Sequence, residues 1–417
     1  MERTLEQWLD YQQQVHPRTI DLGLERVGEV ARRLGLGRPA RHVVTVAGTN
    51  GKGSTVAYLE AIGRAAGWRV GAYTSPHLLR YNERVRIDGT EATDAALVSA
   101  FERIEAARGE LPLTYFEFGT LAALLLFSDA GLDLAILEVG LGGRLDATNI
   151  VDPDVAVITT VDLDHQDWLG GDREAIGGEK AGILRAGKPC VLAERDPPSS
   201  VLRRAYVLGA YAIRGHSDYL IDELDDGRWR WREPGWEIEL PPPAMEAPVQ
   251  RENAAAAIAA LRALDLPLPD RAIVAGVASA RVPGRLQRLP GRPERVLDVA
   301  HNPQGARQLA AWLQAHPKEP TVAVFSALAD KDIAALAEPM AGLVQAWHLG
   351  PITDAGPRGL DAGALAERLA KVVPADRLRL HASLDEALAA AGAEAGGEGR
   401  VLVFGSFHTV AEALGKE

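Results

Sequence analysis

The sequence has almost no cysteine and no long apolar run. Cys190 is the only cysteine among 417 residues, so an intrachain disulfide and a cysteine metal cluster are both excluded. The longest apolar stretch, residues 121–127, is followed by Ser128 and Asp129, and a membrane-spanning helix needs roughly 20 apolar residues. We therefore expect a cytoplasmic protein with no membrane partner.

Basic residues are also fewer than acidic ones. The formal net charge is −12, from 45 Lys and Arg against 57 Asp and Glu, and no basic stripe offsets it, so we expect no nucleic-acid partner. The charged start of the chain does not resemble a signal peptide. A hydrophobic fraction of 47% is ordinary for a globular protein. The length is too great for one core and predicts two or three domains.

The segment from residue 43 to residue 55 has the order of a phosphate-binding loop: a β-branched strand, a glycine-rich turn and a helix starting near Ser54. The glycines let backbone N–H groups approach a polyphosphate, and the helix N-terminus favours the same anion. Lys52 would reach the β- and γ-phosphates, and Ser54 would offer a hydroxyl to Mg²⁺. The spacing departs from the usual pattern, because Val46 occupies the first glycine position and Gly53 separates Lys52 from Ser54. A glycine-rich turn with an incidental lysine is the alternative.

Helical and strand-like patterns alternate along the chain. Three strand-like apolar runs each end at polar residues able to bind a ligand: residues 69–73 at Ser75, residues 133–139 at Glu138, and residues 154–160 at His165. Open α/β sheets bind ligands at the carboxyl ends of their strands. We predict a mainly parallel sheet covered by helices on both faces.

The remaining pattern predicts the domain organisation of an α/β protein. Residues 1–36 are predicted to be helical with a break at His16, and Asp21 is interpreted as the cap of a helix. Residues 211–240 are predicted to form antiparallel hairpins appended to the sheet. A first domain, residues 1–283, would precede a smaller Rossmann-like α/β domain, residues 284–417.

Residue types alone leave the chemistry open. Glu138 could bind Mg²⁺ or simply bond to the next loop. His165, among Asp162, Asp164 and Asp167, could bind a metal, although a lone histidine is more often structural. Lys180 would usually be a solvated helix lysine.

Ten motifs in order make the pattern more specific: GTNGKGST, TSPHL, EVGLGGRLDATN, DHQDWLG, EKAGI, RENAAAAIAAL, VPGRLQ, DVAHNP, ADKD and FGSFHTV. Together they resemble the folylpolyglutamate synthase and dihydrofolate synthase branch of the Mur ligase superfamily, in its bifunctional bacterial form. The resemblance implies an ATP-dependent, ADP-forming ligase. It would add L-glutamate to dihydropteroate and to reduced folates through an acyl phosphate.

The resemblance also implies a set of site residues. ATP would contact Thr49, Asn50, Gly51, Lys52, Gly53, Ser54, Asn253, Arg285 and Asp298. Two Mg²⁺ sites would use Ser75, Glu138, His165 and Lys180, with Lys180 carboxylated to a carbamate. The pterin would contact Ile20, Asp21, Leu22, Thr114, Tyr115, Phe116, Glu117, Leu145, Asp146 and Ala147. The glutamate side would involve His301, Ser406 and His408, and the catalytic residues would be Lys52, Lys180 and His301.

Structural interpretations of these residues stay open beside the functional ones. Asn253 could be a polar residue near a helix N-terminus, Arg285 and Asp298 could form a surface ion pair, and Tyr115 and Phe116 could be core aromatics.

Three other functions stay open as well. The first is a folylpolyglutamate synthase that lacks the dihydrofolate synthase activity. The second is another Mur-type amide ligase acting on peptidoglycan precursors, for which the segment before the loop is short. The third is a nucleotide-dependent switch without ligase activity. We expect a monomer.

Overall fold

The computed structural model describes residues 3–264, 266–353 and 355–415. The chain divides into two compact units. One contains the chain up to Ala244 together with Gln250–Arg281, and the other contains Met245–Val249 and the chain from Val282 onward. The assignment of residues 1–283 and 284–417 to separate functional domains stays a prediction.

The first unit contains the following described elements. Its helices are α1 (Leu5–Val15), α2 (Glu25–Arg33), α3 (Lys52–Ala65), α4 (Asp94–Arg108), α5 (Tyr115–Ala130), α6 (Gln166–Leu169), α7 (Arg173–Lys180), α8 (Ser199–Leu208), α9 (Gln250–Arg262) and α10 (Asp270–Ser279). Its strands are β1 (Ala40–Ala47), β2 (Val70–Tyr73), β3 (Val85–Ile87), β4 (Thr90–Glu91), β5 (Leu132–Glu138), β6 (Val155–Ile158), β7 (Pro189–Leu192), β8 (Tyr211–Arg214), β9 (Leu220–Glu223), β10 (Trp229–Glu233) and β11 (Trp236–Leu240).

Eight of these strands form one sheet in the order β4-β3-β2-β5-β1-β6-β7-β8. The six neighbouring strands β2, β5, β1, β6, β7 and β8 are parallel to one another. Strands β3 and β4 continue the sheet beyond β2 in antiparallel pairing. Alternate residues of β5 face opposite layers: Ala135 and Leu137 belong to a core cluster with residues of α4 and α5, whereas Leu134 approaches Gly63 of α3. Helices on both faces explain why the central strands are continuously apolar.

Two local predictions were wrong. Helix α2 begins at Glu25, and the residue at its N-cap is Leu24, which makes no side-chain cap. Asp21 is not the cap, because its carboxylate accepts a hydrogen bond from Arg26 Nη1 at 2.5 Å. The region 211–240 is not wholly antiparallel. Strand β8 follows α8 in a crossover from β7 and extends the large sheet in parallel, and only β9, β10 and β11 form a separate antiparallel sheet.

The second unit is a smaller α/β unit. Its described helices are α11 (Pro303–Ala315), α12 (Ile333–Ala337), α13 (Ala362–Leu369), α14 (Leu384–Ala395) and α15 (Phe407–Leu414), and its strands are β12 (Gln287–Leu289), β13 (Glu294–Leu297), β14 (Thr321–Phe325), β15 (Ala346–Leu349), β16 (Leu378–Leu380) and β17 (Arg400–Phe404). The strand order is β12-β13-β17-β14-β15-β16, and only β12 is antiparallel to its neighbour. This pattern matches the expected second α/β domain.

Of the helices in the residues described, none combines the length and the apolar character needed to cross a bilayer.

Candidate active site

The candidate site of the first unit lies at the carboxyl ends of four adjacent strands, β2, β5, β1 and β6. Tyr73 of β2 pairs with Leu137 of β5, Val46 of β1 pairs with Glu138, and Ala47 pairs with Ile158 of β6. The segments leaving these strands begin with Thr74, Val139, Gly48 and Thr159. The sheet order therefore brings together four polar segments that are far apart in sequence.

The segment after β6 holds the phosphate-binding loop in place. The Thr49 N–H donates to the carbonyl of Thr160 at 2.7 Å, and the Asn50 carbonyl accepts from Thr159 Oγ1 at 2.6 Å. The Thr49 hydroxyl bonds to both backbone groups of Asp162, each at 3.0 Å. These bonds fix the loop conformation before any ligand is present.

Gly51 is required by the loop geometry. Its φ is +86°, and a Cβ at this position would lie 2.5 Å from Asn253 Oδ1. The Asn253 amide donates to Gln250 Oε1 at 3.1 Å, and Gln250 Nε2 donates to Ser54 Oγ at 3.3 Å. Residues at the start of α9 therefore contact both the loop and the first turn of α3, which begins at Lys52 and not near Ser54 as predicted.

The Lys52 amine points back over its own loop. Nζ donates to the carbonyls of Gly48 at 3.0 Å and Thr49 at 3.3 Å. A cation held at the mouth of the glycine turn is placed to meet the phosphates of a nucleotide. Gly53 is the second residue of α3, next to this amine.

Glu138 is the last residue of β5 and is 4% exposed. Its Oε2 accepts a hydrogen bond from the Ser75 N–H at 3.2 Å. A buried carboxylate is costly without a donor or a cation. The structure thus joins two of the predicted metal ligands directly.

Lys180, the last residue of α7, is the most unusual group of the site because it is a lysine only 3% exposed. Its pKa is lowered to about 7, chiefly by burial and also by repulsion from Lys52, while Asp164 opposes the shift. The amine therefore lies within electrostatic range of both the phosphate-binding loop and the segment after β6. A large part of this amine is neutral at physiological pH.

His165 precedes the short helix α6 and adopts a left-handed φ of +52°. Its Nε2 lies 4.0 Å from Asp164 Oδ1, and its imidazole is 39% exposed beside a mostly buried aspartate. An accessible imidazole oriented by a carboxylate suits a metal ligand.

The polar side chains of the site include donors that suit a divalent cation. In the described ranges of the chain, no group of three or more His, Cys, Asp and Glu side chains is arranged to hold a metal ion. The carboxylate of Glu138 and the hydroxyl of Ser75 are hard oxygen donors that suit Mg²⁺. A protonated lysine cannot ligate, and Mg²⁺ prefers oxygen ligands to a neutral amine, so Lys180 would suit such a site as a carbamate. The residues fit Mg²⁺ when the nucleotide and a modified lysine complete its ligands.

The structure joins the first two predicted pterin segments. The guanidinium of Arg26 contacts Asp21, and its Nη2 also donates to Glu117 Oε1 at 3.2 Å. Glu117 and Thr114 form a capping box at the start of α5, and both are buried. Ile20 and Leu22 lie half-buried in the same loop as Asp21. Sequence reasoning missed Arg26, because nothing in the local pattern signals a contact across 91 residues.

The third segment approaches α5 through Phe116. A Cβ on Gly140 would lie 2.6 Å from the Phe116 ring. The Asp146 carboxylate is buried and accepts hydrogen bonds from the N–H groups of Gly140, Leu141 and Thr148, so it organises its own loop. Burial raises the pKa of Asp146, and these bonds oppose the shift. Leu145 is half-buried and Ala147 is buried beside it.

The second unit has its own polar cluster at the ends of β13 and β17. Asp298 accepts from the N–H groups of Leu286 at 2.9 Å and Ala300 at 2.8 Å. Burial raises its pKa, and Arg285 opposes the shift. The Arg285 guanidinium carbon lies 5.4 Å from the Phe407 ring centroid. The structure therefore places Arg285 and Asp298, both half-buried, within electrostatic range of each other.

Phe407 also links this pair to the predicted glutamate side. The His301 ring lies 5.6 Å from the Phe407 ring, and its Nδ1 donates to the Val299 carbonyl at 2.9 Å. The Ser406 hydroxyl caps α15 by accepting from the Thr409 N–H. Phe407 was missed as a site residue, although it lies inside the FGSFHTV motif.

Two regions of the chain match models of known protein families. Residues 46–211 match the Mur ligase middle domain, and residues 284–407 match the Mur ligase glutamate ligase domain. A dihydrofolate synthase/folylpolyglutamate synthase of Escherichia coli (strain K12) is 49% identical over 412 residues, 98% of this chain and 94% of the relative.

Two solved structures are similar over nearly the whole chain. "E. coli FolC in complex with DHPP and ADP" has a TM-score of 0.94 at 47% identity and covers 99% of this chain and 97% of that one. A bifunctional folylpolyglutamate synthase/dihydrofolate synthase with Mn, AMPPNP and L-glutamate bound has a TM-score of 0.91 at 48% identity and covers 99% and 98%.

These matches confirm the expected fold class and the expected ligase class. The two-part α/β architecture agrees with the solved relatives. The chain belongs to the Mur ligase family, in its dihydrofolate synthase/folylpolyglutamate synthase branch.

Proposed function

We propose that this protein is an ATP-dependent ligase that joins L-glutamate to dihydropteroate, forming dihydrofolate, and to reduced folates, extending their glutamate tail. The observation that carries the proposal is the placement of Lys180, buried within electrostatic range of Lys52 and Asp164. A phosphate-binding lysine and a candidate metal-binding segment meet there. The relatives known to bind ADP, AMPPNP, Mn or L-glutamate support the same reaction.

The nucleotide would be bound by the phosphate-binding loop and by three further polar residues. Backbone N–H groups of the glycine turn and the Lys52 amine would bind the phosphates, because a helix N-terminus and a cation favour anions. Asn253 would contact the adenine, and Arg285 and Asp298 would contact the ribose and a phosphate. All of these residues are buried or partly buried in the places described above.

Mg²⁺ would be held by Ser75 and Glu138 at one site and by His165 and a carboxylated Lys180 at the other. When bound, Mg²⁺ offsets the negative charge on the phosphoryl group that is transferred. The chain itself supplies the neutral amine of Lys180, which can add to CO₂ and release a proton, so that a buried cation becomes an anionic oxygen ligand.

The acceptor carboxylate would attack the γ-phosphorus of ATP to give an acyl phosphate and ADP. The glutamate amine would then attack the acyl carbon, and phosphate would leave. The pterin segments would hold the acceptor, and His301 and Ser406 would serve the glutamate side. We also propose a monomer that acts in the cytoplasm, where one unpaired cysteine is ordinary.

The test is an assay with ATP, Mg²⁺, L-glutamate and either dihydropteroate or tetrahydrofolate, measuring phosphate and conjugate. Conjugate from both acceptors is the expected result. Conjugate from tetrahydrofolate alone would favour the folylpolyglutamate synthase alternative, and acceptor-independent hydrolysis without conjugate would favour the switch. The Lys52→Met variant should lose activity, whereas Lys188→Met, at a surface lysine paired with Asp154, should keep it.

A further inference from the structure

Arg84 is a buried arginine for which the described residues provide no acidic partner. The residue is 9% exposed. Its Nε donates to His77 Nδ1 at 2.8 Å, and its guanidinium carbon lies 5.3 Å from the ring centroid of Tyr81 and 5.5 Å from that of Tyr115. Within the described part of the chain, no aspartate or glutamate forms an ion pair with it.

Arg86, two residues further along, shows how the hydrogen-bond donors of a structural arginine are paired in this segment. Arg86 forms a two-pronged ion pair with Glu60, with bonds of 3.0 and 2.8 Å, and also donates to Thr74 Oγ1 and to the carbonyl of Glu83. Arg84 has one such bond among its five N–H donors. Aromatic rings offset part of the cost of burying its charge, and the remaining donors form a fork that matches a carboxylate.

The position of Arg84 relates it to two parts of the proposed site. His77, its hydrogen-bond partner, follows the candidate metal ligand Ser75 by two residues. Tyr115, the ring beneath its guanidinium, starts helix α5 and is followed by Phe116, which lies against Gly140 just beyond Glu138. Two neighbours of the guanidinium, His77 and Tyr115, thus belong to the segment that carries Ser75 and to the helix that is proposed to contact the pterin.

An acceptor of this ligase carries a flat ring system and a carboxylate that must reach the γ-phosphate. With its rings against α5, its carboxylate would point toward the segment of Ser75 and Glu138. We propose that Arg84 binds the reacting carboxylate of the acceptor and orients it for attack. This inference rests on the proposed function and adds a residue that the motif assignment did not include.

A purely structural role is the competing explanation, because Arg84 also lies among the buried rings of Tyr73, Tyr81 and Tyr115. Burial raises the pKa of each of these phenols, and the positive charge of Arg84 opposes the shift. A structural arginine would support the fold and all ligands equally. A carboxylate-binding arginine would discriminate between ligands with and without that group.

The experiment compares Arg84→Met and Arg84→Lys with Arg80→Met. Arg80 is the matched control, since it lies on the same segment with a side chain 66% exposed and only a distant ion pair to Glu91. Steady-state assays would give the KM for dihydropteroate, the KM for ATP and kcat. We expect Arg84→Met to raise the dihydropteroate KM by about 10- to 100-fold, the value of a charge-assisted bond, with an unchanged KM for ATP. Arg84→Lys should be intermediate, because it keeps the charge and loses the fork.

Direct binding separates the two roles. The affinity of each variant would be measured by fluorescence for dihydropteroate and for 6-hydroxymethyldihydropterin, which lacks the carboxylate. Arg84→Met should weaken only the acid. Equal weakening of both ligands, or no change for either, would overturn the inference.

The wild type tests the proposed function, and the Arg84 variants test the present inference. If the wild-type chain makes no conjugate, the proposed function fails. If the wild type is active and the Arg84 variants match Arg80→Met, only the present inference fails. Thermal unfolding of each variant reports folding, and Arg84→Lys decides the outcome if Arg84→Met does not fold.

Discussion

At the scale of single residues, Lys180 combines deep burial with nearby charge of both signs. Burial is the largest cause of its lowered pKa, and Lys52 adds to the effect. An ordinary lysine has a pKa near 10.4 and is almost fully protonated at neutral pH. A value of about 7 gives a neutral, nucleophilic amine in a site that also contains a cation to receive the new negative charge.

The first prediction is that Lys180 takes up CO₂ in a pH-dependent way. The neutral fraction of the amine rises roughly tenfold between pH 6 and pH 8, because the pKa is about 7. The addition of CO₂ also releases a proton, so at a constant and subsaturating CO₂ pressure the carbamate should be more than roughly tenfold greater at pH 8 than at pH 6. Carbon-13 NMR of the protein under labelled CO₂ measures it directly. Lys180→Met should remove the signal and Lys188→Met should keep it. A signal of equal size at both pH values would contradict the assigned pKa.

A second prediction concerns catalysis by the same residue. Lys180→Ala should abolish ligation, because it removes the proposed metal ligand and leaves a cavity in a buried position. Added acetate or formate should restore part of the activity by placing a carboxylate in that cavity. Lys188→Ala, treated with the same salts, provides the control for ionic strength. Full activity of Lys180→Ala without added salt would show that no carbamate is used.

At the scale of secondary-structure elements, the loop before α3 depends on one left-handed glycine. Gly51→Ala should lose about 1–2 kcal/mol from the backbone alone, and its methyl would also press on Asn253. We expect at least tenfold weaker ATP binding by calorimetry. Gly35→Ala is the matched control, since Gly35 has φ +66° and open space around it. The Gly35→Ala variant should have the same backbone strain and bind ATP with the affinity of the wild type. Equal ATP binding in both variants would contradict the contact-based explanation.

Helix α3 is also tied to β3 by the ion pair of Glu60 and Arg86, whose side chains are largely buried. Arg86→Met should cost about 3 kcal/mol in unfolding free energy, because it strands a buried carboxylate. The double variant Arg86→Met with Glu60→Met should recover part of that loss. Urea unfolding of the wild type, Arg86→Met, Glu60→Met and the double variant completes the cycle. A double variant no more stable than Arg86→Met would mean that the pair is not the source of the loss.

The features that could be predicted from the sequence are those encoded by residues that lie close together in the chain. The phosphate-binding loop, the strand ending at Glu138 and the strand before His165 are contiguous patterns, and the structure has each of them. The cap assigned to Asp21 failed because Arg26 competes for its carboxylate. The bond from Arg26 to Glu117, like the one from Gln250 to Ser54, joins distant segments, and no local pattern encodes such contacts. Strand β8 was misjudged because its partner β7 was not recognised.

At the scale of the whole molecule, an acyl phosphate must be kept from water until glutamate attacks it. We expect closure about residues 282–285 to provide that protection. Gly284 in this segment has φ +69°, and its N–H donates to Gln287 Oε1 at 2.9 Å. A residue with a side chain would therefore be strained in this backbone conformation.

The last prediction is that Gly284→Ala uncouples the two half-reactions. The backbone strain of about 1–2 kcal/mol should disfavour the protected state, so that more of the intermediate meets water. ADP released per conjugate formed should then rise above the value of one that the chemistry sets for the wild type. Chromatography of both products in the same reaction measures this ratio, and Gly35→Ala serves as the control for a strained glycine elsewhere. If Gly284→Ala slows both products equally, the segment affects the rate without protecting the intermediate, and closure about it is not what excludes water.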